Sequence, residues 1–293
     1  MAHGEVKHDY HLVNPSPWPL LGSLSVLVLA LGGVNYMKGL FGMEKGTVWL
    51  LAVGFAMVGW VMIGWWREVI KEGKIGDHTP VVSIGLRYGM ILFIASEVMF
   101  FVGWFWSFFE FAIFHSARVG ENWDAANPLF ADALAKFGDW PPVGVETFDP
   151  FHLPLINTLV LLLSGCAVTW AHHALAHNND RKGLVQGLAI GIAFGIAFTA
   201  LQGFEYYELL AHEEWKFGED EFYSNFFMAT GFHGFHVVIG TIFLTVCLIR
   251  AMKGDFTPEQ HVGFEAAAWY WHFVDVVWLF LFVAVYIWGT AGL

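Results

Sequence analysis

PLINTLVLLLSGCAVTWAHHA, Pro154–Ala174, runs for 21 residues without one Asp, Glu, Lys or Arg. About 20 mostly apolar residues are what a helix needs to cross the hydrocarbon core of a bilayer. A strand of a membrane barrel would alternate apolar and polar residues over about ten positions, and the run Leu159–Leu163 does not alternate. The stretch therefore reads as a spanning helix, and it serves as a template for the rest of the chain. Six further stretches fit it: Trp18–Met37, Thr47–Trp66, Ile84–Phe109, Leu184–Leu210, Phe226–Ile249 and Phe264–Trp288. The predicted fold class is all-α, one integral membrane domain of seven transmembrane helices over residues 1–293.

Composition points the same way. Of 293 residues, 57% are hydrophobic, 18% aromatic and 14% charged, against about 25% charged in soluble domains. That is too little charge for a hydrated skin, so lipid must solvate much of the surface. The formal net charge is −12 and no segment concentrates Lys and Arg, which argues against nucleic acid as a partner. Cys166 and Cys247 sit in apolar stretches without CxxC or Cys/His spacing, so neither a disulfide framework nor a zinc site is supported. Met1–Pro17 lacks the apolar core of a secretory signal, which leaves targeting to the first span.

Seven spans put the termini on opposite sides. With the N-terminus inside, the inner segments hold Lys7, Arg67, Lys71, Lys74, Arg181, Lys182, Arg250 and Lys253. The outer ones hold Lys38, Lys45, Arg118, Lys136 and Lys216, and most of the acids, notably Glu213, Glu214, Glu219, Asp220 and Glu221. The positive-inside bias thus favours an N-terminus on the inner face and a C-terminus on the outer face. All ten prolines fall in loops or at span ends, so no span carries the central break that transporters commonly place at a binding site. Glu110–Leu153 is predicted to be one outer loop, with a short helix near Pro128–Phe137.

Ionisable residues at membrane depth are functional candidates by default. Glu97 stands halfway along its span with no neutralising neighbour nearby in sequence. It is either a proton-binding carboxyl or a hydrogen-bonding link to another helix. Glu205 has Gln202 three residues before it and Asp275 has His272 three before it. Each pair shares a helix face and reads first as a buried polar network, with a proton relay as the lesser reading of the Asp275 pair. His233 and His236 also share a face, whereas the adjacent His172 and His173 project about 100° apart. No metal site is predicted, because haem or copper needs histidines converging from several helices. Trp65, Trp66 and Arg67 end the second span, Glu72 and His78 follow in an inner loop, and Arg250 ends the sixth. Tryptophan anchors and arginine forks suit a phospholipid headgroup, either as ordinary interfacial anchoring or as a specific site.

Five longer strings carry a family resemblance: NPSPWPL (Asn14–Leu20), GLRYGMILFIASE (Gly85–Glu97), TWAHH (Thr169–His173), GFHGFH (Gly231–His236) and FEAAAWYWHFVDVVW (Phe264–Trp278). Together they resemble subunit III of the aa3-type cytochrome c oxidases, and the resemblance spans the chain from Asn14 onward. It implies a subunit without haem or copper, packed beside subunit I of a complex that also contains subunit II. Haem a and copper are then in the partners, and cytochrome c is the substrate of the whole complex. It implies a split of two helices plus five around a V-shaped, phospholipid-holding cleft. Glu97 matches the family's functionally sensitive membrane carboxyl, and Trp66, Glu72, His78, His236 and Arg250 match cleft positions. The implied role is to sustain proton uptake and turnover stability of a proton-pumping oxidase that reduces oxygen to water. The outer loop from Glu110 to Leu153 looks longer than in typical mitochondrial members, which implies an α-proteobacterial inner membrane, with a cytoplasmic N-terminus and a periplasmic C-terminus, ahead of a mitochondrial one. A proton-coupled transporter using Glu97 and Asp275, or the third subunit of a quinol oxidase, are the alternatives.

Overall fold

The computed structural model describes residues 14–40, 42–120, 140–143, 145, 147, 149–211, 215–216, 218 and 221–291. Among the described residues seven long helices follow one another: α1 (Trp18–Lys38), α2 (Trp49–Ile75), α3 (Pro80–Gly120), α4 (Leu153–Asn178), α5 (Arg181–Ala211), α6 (Glu221–Lys253) and α7 (Val262–Leu281). The last continues as a π-helical segment, Phe282–Trp288. All seven are long and apolar enough to cross a membrane. The predicted short helix at Pro128–Phe137 and the acids Glu213, Glu214, Glu219 and Asp220 lie outside the described residues.

Helix starts and stops follow local chemistry. Pro19, Pro80 and Pro154 stand in first turns, where the missing N–H removes nothing from the helix ladder. Several ends differ from the hydropathy reading. Helix α2 runs past Trp66 to Ile75 and stops at Gly76, whose φ of 88° suits glycine and whose N–H reaches the Glu72 carbonyl. Glu72 therefore stands on a helix rather than in a loop, while His78 does lie in the connection to α3. Helix α3 starts at Pro80 and continues beyond Phe109 to Gly120, leaving helical geometry locally at Phe114. The predicted loop from Glu110 is thus helical at its start.

The chain divides into two compact units, Met1–Leu86 and Arg87–Leu293. The first is built on the α1–α2 hairpin. Small residues allow its backbones to approach closely: a Cβ on Gly54 would fall 2.5 Å from the Leu29 Cα, and one on Gly32 2.7 Å from the Leu51 Cα. Asn35 closes the connection, its Oδ1 accepting from the Leu40 N–H at 2.8 Å. Ser25, Gly32, Asn35, Gly54 and Val61 are buried there.

The second unit holds the main core. Helices α4 and α5 form a tight hairpin turned by Asn179, the one non-glycine residue with positive φ (47°) among those described. Gly187 and Gly191 face Ala171 and Val168 across it, and Gly195 and Gly240 make room for the Trp271 ring. Helix α7 is packed on several sides: Trp271 Nε1 donates to Ser164 Oγ at 3.0 Å, and Trp278 Nε1 donates to Thr158 Oγ1 at 2.9 Å. The outer faces are apolar, with Trp106 and Leu92 each 70% exposed and Leu20 68%. Polar groups inside and large apolar side chains outside are what a lipid solvent requires.

Candidate functional site

Glu97 on α3 does have a partner, 139 residues away in sequence: its Oε2 lies 2.9 Å from His236 Nε2 on α6. The other ring nitrogen, Nδ1, lies 2.6 Å from the Phe232 carbonyl oxygen. A carbonyl only accepts, so Nδ1 carries a hydrogen. Nε2 then either accepts from a protonated Glu97 or, in a doubly protonated ring, donates to the carboxylate. A hydrogen bond at this distance needs one proton between Oε2 and Nε2, and with that proton in place the pair as a whole is neutral. Phe101, Tyr270 and Phe273 surround the imidazole, with ring centroids 5.1, 6.2 and 6.3 Å away. The His236 side chain is 9% exposed and that of Glu97 23%, so the carboxyl is the reachable end of the pair.

The other buried acids are held differently. Glu205 Oε1 accepts from Tyr286 O–H at 2.6 Å and from Gln202 Nε2 at 3.1 Å. Asn157 Nδ2 donates to Gln202 Oε1 at 3.1 Å. This node joins α4, α5 and the π-helical segment. Gln202 was legible as a partner from its spacing, while Asn157 and Tyr286 were not. Asp275 Oδ2 lies 3.5 Å from His272 Nδ1, and His272 Nε2 lies 3.1 Å from Thr169 Oγ1. Gly165 is required beside this pair, since a Cβ there would collide with Asp275 Oδ2. His233 is fully buried between Phe198 and Trp278 and donates from Nε2 to the Val274 carbonyl at 3.1 Å. Its ring neighbours, Phe198 and Trp278, differ from those of His236, although the two histidines share a helix.

The headgroup candidates fall in two places. Trp65, Trp66, Arg67, Glu72 and His78 belong to the first unit, where Trp65 and Trp66 are exposed. Beside them an apolar groove of about 490 Å³ is lined by Val26, Val61, Met62, Trp65, Trp66 and Leu86. Arg250 and His236 are both on α6 but 14 residues apart, about 21 Å along the axis at 1.5 Å per residue. They do not share one headgroup. The Arg250 guanidinium lies over the Phe256 ring at 4.4 Å, with Nε 3.7 Å from Asp255 Oδ2. That pair escaped sequence reasoning, and so did a shorter one: Arg87 Nε donates to Glu265 Oε2 at 2.8 Å. Among the described residues no three His, Cys, Asp or Glu side chains assemble as a metal-binding group.

The sequence matches the protein-family model described as cytochrome c oxidase subunit III over residues 8–130 and 130–290. It is 48% identical to a cytochrome c oxidase subunit 3 of Arabidopsis thaliana over 284 residues, 97% of each chain. A protein of the same description from Marchantia polymorpha is 49% identical over 284 residues, again 97% of each. One from Oncorhynchus masou is 47% identical over 291 residues, 99% of this chain and 100% of that one. With seven spanning helices and a family match over nearly its whole length, the chain belongs to the cytochrome c oxidase subunit III family.

Proposed function

We propose that the chain serves a proton-pumping aa3-type oxidase as its non-catalytic third subunit, packed beside subunit I and holding phospholipid there. Haem a and copper are assigned to the partner subunits, and cytochrome c to the complex as electron donor. The observation that carries the functional part is the Glu97–His236 pair. Its proton can move between Oε2 and Nε2 without changing the pair's net charge, so the exchange avoids exposing a bare charge to the bilayer. The carboxyl end is the more exposed, which suits proton handover in support of uptake by subunit I. The apolar groove beside Trp65 and Trp66 supports the lipid-holding part, because it can take acyl chain while tryptophan and arginine meet the headgroup. The Lys and Arg asymmetry supports an N-terminus on the cytoplasmic face of a bacterial inner membrane. The plant relatives are matched over 97% of their own length, so chain length does not separate this protein from them.

The test is Glu97→Gln in the intact complex. The amide can still donate to His236 Nε2 but cannot release a proton. The expected result is a complex that retains this subunit and its spectrum while its proton uptake slows or its turnover lifetime shortens. Loss of the subunit, or unchanged proton uptake and lifetime, would reduce Glu97 to a structural link.

A further inference from the structure

Near the C-terminal end of α4, His172 and His173 part company, as adjacent helical residues must. His173 stacks on His177, ring centroids 4.4 Å apart at 15°. His172 faces His261, the residue immediately before α7, with the two Nε2 atoms 3.3 Å apart. The His261 ring is held from behind, because its Nδ1 lies 3.0 Å from the Thr257 carbonyl oxygen and must carry the hydrogen. In the neutral ring the lone pair is therefore on Nε2, aimed at His172. A second nitrogen tied to a backbone carbonyl is how metal-ligating histidines are commonly oriented. The separation fits as well: two imidazole nitrogens bound at about 2.0–2.1 Å to one tetrahedral zinc ion are about 3.3 Å apart.

We propose that His172 Nε2 and His261 Nε2 form a two-histidine site for a divalent transition cation of the zinc class, joining the end of α4 to the start of α7. The Phe264 ring packs edge-on against His172 at 5.6 Å and walls one side. Glu265, His177 and His272 are the other ionisable groups acting on His172, and Glu265 is committed to Arg87 by the 2.8 Å ion pair. The described residues supply no third ligand to make a closed set, so water fills the remaining positions and the ion is exchangeable rather than a permanent structural one. A plain N–H···N hydrogen bond is the competing use of this geometry. The two differ in one respect: binding the cation displaces the proton between the rings, whereas the hydrogen bond keeps it.

The experiment uses the intact oxidase complex, treated with a chelator, equilibrated with Zn2+ and freed of unbound ion. Zinc per complex is then counted for the unaltered protein and for His172→Gln, His261→Gln and His173→Gln. The expected result is one zinc fewer in each of the first two variants, with His173→Gln matching the unaltered complex. Equal zinc in the unaltered and His261→Gln complexes would overturn the site, and so would an equal loss in His173→Gln. Should the variants fail to assemble, the zinc-edge X-ray absorption of the unaltered complex before and after loading decides. Added scattering from two imidazole nitrogens at about 2.0–2.1 Å supports the site, and an oxygen-only shell refutes it.

Discussion

Glu205 and Glu97 are both carboxyls at membrane depth, yet the first is tied by Tyr286 and Gln202 into a node that reaches three elements, whereas His236 is the hydrogen-bond partner of the second. The Glu205 node sits in the packed interior of the second unit, among Phe226, Trp278 and Tyr286. Removing one member there strands the others, since a buried donor or acceptor left unpaired loses its full desolvation cost. The Glu97 pair can rearrange its proton without breaking any other contact. A polar group with many fixed partners specifies packing, and one with a single titratable partner can exchange a proton. On the proposed reading, that difference separates a packing node from a proton-exchanging carboxyl more clearly than depth in the membrane does.

The contrast can be broken at its structural end first. Trp278→Ala removes a buried ring packed against Phe198, His233 and Tyr286 and should cost about 3–5 kcal/mol, seen as loss of this subunit from the complex at lower temperature. Glu205→Leu should follow at about 1–3 kcal/mol, because Tyr286 O–H and Gln202 Nε2 lose their acceptor. Thermal release of the subunit would measure it, and an unchanged release temperature would mean the node contributes no packing energy. Glu97→Gln should change that temperature by no more than the worth of one hydrogen bond, about 1 kcal/mol, while altering proton uptake or turnover lifetime. At the small end, Arg250→Gln loses a guanidinium stacked on Phe256, worth about 0.5–1 kcal/mol. Its main expected effect is less phospholipid in the purified complex, and an unaltered lipid count would remove Arg250 from any headgroup site.

Much of the fold was legible because lipid imposes a simple rule: about 20 apolar residues per crossing. Helix ends were less so, since a helix continues into the headgroup layer where Arg67, Lys71, Glu72 and Lys74 are welcome, and hydropathy stops reporting there. Partners on one helix face, Gln202–Glu205 and His272–Asp275, could be read from spacing of three. Partners across helices could not. His236 was singled out for lipid rather than for Glu97, because nothing local connects residues 139 apart. Tyr286 escaped for a further reason: it stands in a π-helical segment, whose wider turn departs from the 3.6-residue phase on which face assignments rest. His261 was missed because it lies between helices, outside every periodic pattern.

The most direct test of the contrast is labelling of the intact complex with a hydrophobic carbodiimide, which attacks protonated carboxyls from the lipid side, followed by peptide mapping. Glu97 is expected to be modified and Glu205, 5% exposed and held by Tyr286 and Gln202, to be spared. Modification of Glu205 with Glu97 untouched, or of both equally, would contradict the assignment of Glu97 as the exchangeable carboxyl.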